Sequence, residues 1–236
     1  MGEPAFAVFL DANVLARPAT RSLILFAGEA SGYHATWSQR AEDEADSHLR
    51  PAMTRLAVVR GLAGQDLSAT GVGAARFSAT RDTDRQLLAD AVAADARFLV
   101  TDNVDDFDDG DLLAVGVSAV NPDLFLSRRA TFAGYQAALL MMANSMRHPA
   151  RTPEELHQRL GRQHPLTVAA FATVYPGATP LPAAHNPPAV VFRGPRCLRC
   201  LRLQAHAAPL ILGLCTDCVN GPEGTEAHSP CGNPTD

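Results

Sequence analysis

The sequence predicts an α/β fold built on a parallel sheet, and three observations carry that prediction. Residues 5–10 (AFAVFL) and 96–101 (ARFLVT) are short, almost unbroken apolar runs, the pattern of strands covered on both faces. The second run follows an amphipathic stretch ending near Ala94, with Leu87, Leu88, Ala91 and Val92 on one face, so helix alternates with buried strand. Each run ends at an acidic residue, Asp11 and Asp102, at the sheet edge where ligands of such folds collect.

The remaining elements follow in chain order. A helix is expected at about 20–30, around SLILFA. Residues 36–60 open on Thr36, a candidate N-cap, and read as helical with a break at Pro51. Residues 62–80, rich in Gly, Ala, Ser and Thr, read as loop with one short strand near 76–79. The string RDTD at 81–84 caps the amphipathic helix. A turn crowded with acids occupies 102–111, and a third strand is expected at about 115–120 (VGVSAV). Residues 128–146 read as helix. After Pro149, Thr152 offers an N-cap, Pro153 a first helical position, and Glu154 and Glu155 a favourable first turn. The organisation expected is an α/β domain at 1–127, a helical extension at 128–175 and a proline-rich linker at 176–190. A cysteine module at 191–222 and a disordered tail at 223–236 follow.

Composition narrows the class. Of the 236 residues 47% are hydrophobic and 19% charged, which is globular. No apolar run approaches the ~20 residues needed to cross a bilayer, and AFAVFL has no basic residues before it. A soluble, cytoplasmic protein with no membrane partner is expected. A net charge of −5 sits poorly with a nucleic-acid partner. Distribution matters more: every basic residue is arginine, a bidentate phosphate ligand, and the acids gather at 42–46, 82–84 and 102–111.

Those acids form the first candidate site. Asp11 and Asn13 lie in FLDANVL, Glu44 in WSQRAEDEADSHL, Asp82 and Asp84 in TRDTDRQLLADA, and Asp102, Asn103 and Asp106 in LVTDNVDDF. Singly, each has an ordinary explanation as a cap, a turn residue or a solvated helix face. Carboxylates gathered at one sheet edge would repel one another, so the set as a whole points to a bound cation. Oxygen ligands of this kind select Mg²⁺ or Mn²⁺.

The second candidate site is sulfur. Cys197 and Cys200 form one CxxC pair and Cys215 and Cys218 another, 14 residues apart, a spacing that suits a tetrahedral zinc ribbon or knuckle. Cys231 is left as a spare thiol and His206 as an exposed residue. Arg193, Arg196, Arg199 and Arg202 surround the first pair, with no acid among residues 190–202. Such a basic module can grip RNA, or it can dock a protein.

The ordered motifs resemble a known family. An apolar strand with Asp-x-Asn-Val-Leu, then W-S-x(5)-E, D-x-D-R, L-V-T-D-N-x-x-D-F and V-N-P-D-x-F-L, look like the PIN-domain ribonucleases, and most of all their VapC-like bacterial toxins. The resemblance runs from about residue 6 to 126, and the helices of 128–175 are similar to an extension that some of these toxins carry. It implies a three-layer fold with a parallel sheet of about five strands, commonly in a homodimer, and Mg²⁺- or Mn²⁺-dependent endonuclease activity on RNA. Asp11, Glu44 and Asp84 match the family's metal-binding acids, with Asn13 supporting Asp11. The family's fourth acid falls on Asn103, so Asp102 or Asp106 would substitute or the site would have fewer carboxylates; Asp102 is taken as the fourth ligand and Asn103, Asp82 and Asp106 as supporting. Arg17, Arg21 or Arg40 could hold flanking phosphates. A toxin would have RNA as substrate and a small antitoxin as partner. The alternatives are an RNA-maturation nuclease with a zinc ribbon and a catalytically silent RNA-binding protein.

Overall fold

The computed structural model describes residues 5–146, 148–185, 191–204 and 212–220. Its sheet has five strands in the order β2-β1-β3-β4-β5. These are β1 (Phe6–Leu10), β2 (Tyr33–Thr36), β3 (Ala96–Val100), β4 (Ser118–Val120) and β5 (Phe192–Arg193). The first four pair in parallel, while β5 runs antiparallel along β4.

The two-residue alternation of a strand sorts side chains into two layers. Val8, Leu10, Phe98, Val100 and Val120 point into one apolar cluster, and Ala7, Phe9, Leu99 and Ala119 into the other. The sheet is thus covered on both faces, which is why β1 and β3 read as continuous apolar runs.

On the larger cluster's side lie α1 (Ala12–Leu15), α2 (Pro18–Gly28), α3 (Gln39–His48) and α4 (Leu56–Ala63). Against the other face pack α5 (Arg85–Ala93) and α6 (Asp109–Val115). Next come α7 (Pro122–Arg129), α8 (Phe132–Ser145), α9 (Pro153–Leu160) and α10 (Pro165–Ala170). Thr152 and Glu155 complete the expected capping box. Gly134 lets α8 lie against α2, because a Cβ there would come 2.8 Å from the Ala27 carbonyl. The buried carboxylate of Asp123 accepts from the Leu166 and Thr167 amides at 2.9 and 2.8 Å, which ties the helical extension to α7. A short α11 (Thr216–Asn220) carries Cys218.

Several expected elements fall elsewhere. Thr36 ends β2 instead of capping a helix; Ser38 is the cap, accepting from the Ala41 amide. Near 76–79 there is a single 3₁₀ turn at Ala74–Arg76 and no strand. The acid-rich turn is partly helical, because the Asp108 side chain caps α6 through the Gly110 and Asp111 amides. Residues 176–185 do not hang free: the Leu181 and Ala184 amides donate to the Gln158 and Arg162 carbonyls at 2.9 and 3.0 Å. The rest of the expected linker, His206, Cys231 and the tail at 223–236 lie outside the described residues.

Candidate active site

Asp11 leaves β1 with an extended backbone and serves as the N-cap of α1. Both oxygens of its carboxylate are held. Oδ1 accepts from the Ala12 amide at 2.6 Å; Oδ2 accepts from Asn13 Nδ2 and from the Thr101 hydroxyl, each at 2.6 Å. Asn13 also donates to Thr101 Oγ1 at 3.2 Å and accepts from the Asp102 amide at 3.3 Å. The ends of β1 and β3 are thereby locked together around one carboxylate. Burial pushes Asp11 up from 3.8 to about 6. The Thr101 and Ala12 bonds oppose that rise, and Asp84 and Glu44 add to it.

A cleft of about 430 Å³ opens over Asp11, with Glu44, Asp84, Asp90, Asn103 and Asp106 on its walls beside Arg40 and Arg81. Glu44 projects from exposed turns of α3, and Asp84 stands at the start of α5. Burial raises Asp84, as do Asp106 and Glu44, against the Thr83 hydroxyl bond and Arg81. Arg81 pairs with Asp106 at 2.7 Å, and Arg40 reaches the Thr83 carbonyl at 3.4 Å. Five carboxylates therefore face two guanidiniums, a surplus of negative charge that attracts cations.

Four expected residues, Asp102, Arg17, Asp82 and Arg21, lie away from this cleft. Asp102 turns aside to pair with Arg17, so the turn after β3 presents Asn103 and Asp106 instead. Asp82 is exposed and pairs with Arg85 at 2.6 Å. Arg21 is buried and donates to the Leu15 carbonyl, which leaves it no part in holding phosphate. Thr101 and Asp90 escaped the sequence reading. Thr101 had a signal in its place directly after β3. Asp90 interrupts the apolar face of α5 and accepts from the Gly71 amide at 2.8 Å.

The chain is 32% identical over 99 residues to a Mycobacterium tuberculosis (strain ATCC 25618 / H37Rv) protein named "Putative ribonuclease VapC50". It resembles a VapC ribonuclease. The match takes in 41% of this chain and 59% of that protein. No family model matches the sequence, and no solved structure matches it.

The donor set of the cleft fits a hard dication. Its acids supply only oxygen. Among the described residues only the four cysteines bring three or more candidate ligand atoms within 4.8 Å of one another. The acids of the cleft form no such close-set group among the described residues. A pH dependence follows. With its carboxyl raised to about 6, Asp11 holds a proton more tightly in the fold than in the unfolded chain. The apo fold therefore loses stability as pH rises from about 4 to 6, and a cation binding below 6 must displace that proton. Mn²⁺ affinity, measured calorimetrically, is expected to fall about tenfold per pH unit below 6 and to level off above it. A flat profile across that window would remove Asp11 from the ligands.

The cysteine centre is compact. The sulfurs of Cys197, Cys200, Cys215 and Cys218 all lie within 4.8 Å of one another, and Cys200 Sγ is 3.7 Å from Cys215 Sγ. That is far beyond a disulfide. It matches the edge of roughly 3.8 Å that ~2.3 Å zinc–sulfur bonds give a tetrahedron. The Cys215 amide donates to Cys197 Sγ at 3.4 Å, which would steady a thiolate. Three of the four flanking arginines donate to backbone carbonyls. Arg193 donates to the Phe107 carbonyl at 2.9 Å, Arg196 to the Gly116 and Leu201 carbonyls, and Arg199 to the Cys218 carbonyl at 3.0 Å. A guanidinium spent on carbonyls is a poorer phosphate ligand, so the expected RNA grip draws little support from this packing.

Proposed function

We propose that this chain is a Mg²⁺- or Mn²⁺-dependent endoribonuclease of the PIN-domain, VapC-like kind, acting as a toxin restrained by a small antitoxin, and that its four cysteines hold a structural Zn²⁺. The observation that carries the reading is the buried Asp11 carboxylate, fixed at a strand end and faced by Glu44 and Asp84 across an acidic cleft. The similarity to a VapC ribonuclease supports it.

Asp11, Glu44, Asp84 and Asp106 would hold the ion, which when bound lowers the pKa of water and neutralises charge on a scissile phosphodiester. Asn13 and Thr101 fix the Asp11 oxygens in advance, so little ordering remains when the site fills. Arg40 and Arg81, the cations at the cleft, are placed to take a phosphate approaching from solvent. Asp102 and Arg17 stay outside this work as a structural pair.

Cleavage of RNA is expected to disappear in EDTA and to return with Mg²⁺ or Mn²⁺ but not with Zn²⁺ alone. Activity that survives exhaustive chelation, in protein free of contaminating nucleases, would reject the reading. Growth arrest on expression, relieved by a co-expressed neighbouring gene product, separates a toxin from an RNA-maturation nuclease.

A further inference from the structure

The cysteine centre and the acidic cleft share no residues, yet one short strand connects them. β5 lies along β4, with Phe192 opposite Val120 and Arg193 opposite Ala119, and the Asn121 amide donates to the Val191 carbonyl at 2.9 Å. From β5 the chain runs through Gly194, whose φ of +107° and close approach to the Val117 carbonyl admit no Cβ. It is then pinned at Arg196, whose amide donates to Ser118 Oγ at 2.8 Å and whose guanidinium reaches the Gly116 carbonyl. Cys197 follows at once, fully buried beside Leu198.

The same strand grips the turn that forms one wall of the cleft. Arg193 donates to the Phe107 carbonyl at 2.9 Å, and the Gly194 amide donates to Asp109 Oδ1 at 3.1 Å. Phe107 directly follows Asp106. On its other side the turn is held by Arg81, whose amide donates to the Asp106 carbonyl at 2.9 Å and whose side chain pairs with the Asp106 carboxylate. Arg81 is exposed and itself lines the cleft, so an incoming phosphate competes for it. Arg193 is half-buried, lies on the far side and is free of that competition.

We propose that Arg193 is a positioning residue for the acidic cleft. It holds the turn carrying Asn103 and Asp106 from outside, and the four-cysteine centre, beginning four residues later, keeps β5 and therefore Arg193 seated on the sheet. The inference rests on reading the cleft as the ion-binding site. It makes occupancy of the sulfur centre a condition for a well-formed oxygen centre. Loss of metal from the cysteines would release β5 and loosen the Asp106 wall, while Asp11, fixed by Asn13 and Thr101, would stay in place.

The test is Arg193→Met in the zinc-loaded full-length chain, which keeps an aliphatic stem on the strand and removes the donor. Bound zinc, by elemental analysis, is expected to be unchanged. Amide exchange of residues 103–109 is expected to accelerate roughly tenfold, the effect of losing a charged hydrogen bond, with residues 6–11 and 85–93 unaffected. Mn²⁺ affinity at pH 7.5 is expected to weaken about three- to tenfold, with partial rescue in Arg193→Lys. Removing zinc from the wild type with a chelator selective for it is expected to accelerate exchange in the same turn, on top of the wider acceleration that a less stable fold brings. Unchanged exchange at 103–109 would overturn the proposal. So would faster exchange with unchanged Mn²⁺ affinity, since Arg193 would then be structural only. A wild type that binds no Mn²⁺ while Arg193→Met still loosens the turn would remove the ion-site reading and the positioning role that rests on it, leaving a structural strut.

Discussion

Asp11→Asn is expected to abolish RNA cleavage, by about a thousandfold or more, in a protein that melts no lower than the wild type without added metal. The magnitude follows from the several kcal/mol of charge stabilisation a catalytic ion supplies, at 1.36 kcal/mol per tenfold in rate. Unaltered stability follows from two opposed effects. The substitution removes the charge that burial, Asp84 and Glu44 make costly, a cost reflected in a carboxyl raised to about 6. It also puts an amide where Oδ2 accepts from Asn13 and Thr101. The Thr101 hydroxyl can rotate to accept, whereas Asn13 loses the nearer of its two acceptors and keeps Thr101 Oγ1, at a cost of roughly 1 kcal/mol. Thermal melts with and without Mn²⁺, beside a cleavage assay, give the answer. The wild type should gain melting temperature on adding Mn²⁺ and the variant should not. Full Mg²⁺-dependent activity in a folded Asp11→Asn protein would sink the assignment of this carboxylate.

What the sequence disclosed of this site depended on how local each cause was. Asp11 was legible because a buried strand ending in an acid is a pattern within six residues. The pairing of Asp102 away from the cleft was not, because its partner Arg17 lies far away in the chain. β2 was missed because Tyr33–Thr36 is four residues long, exposes His34 and runs straight into the Ser38 cap. β5 was missed for a stronger reason: Phe192–Arg193 is a strand only by virtue of the β4 edge beside it. The arginines around the first CxxC pair show the same limit. A run of Arg without acids looks like free positive charge, and only the fold shows which carbonyls take it up. The parallel sheet itself was legible because both of its core layers are written as alternating residues in β1 and β3.

Truncation near Pro182 is expected to destabilise the α/β domain strongly, although the sequence sets the cysteine module beyond a proline-rich linker. The cut removes β5 and bares the β4 edge, leaving an unpaired strand that invites association with other chains. It strips Cys197, Leu198, Leu201 and Leu214 from a cluster they share with Phe98, Val120 and Leu124. Arg129 loses the Leu198 and Arg199 carbonyls, and Ser118, Gly116 and Phe107 lose their bonds to Arg196 and Arg193. Water replaces part of each, so a net ~0.5–1.5 kcal/mol per bond is the appropriate scale. With the apolar contacts added, a loss of roughly 3–5 kcal/mol is expected, or about 6–20 °C in melting temperature for a chain of this size. Replacing Cys197 and Cys215 by Ser should release zinc and reproduce much of this loss, because the metal supplies folding energy to the segment that carries β5. Melting curves of the full-length, truncated and double-serine proteins, with zinc content measured on each, decide the matter. A truncated protein that keeps the oligomeric state of the full-length chain and melts with it would show that β5 contributes nothing to the sheet, and the module would stand apart after all.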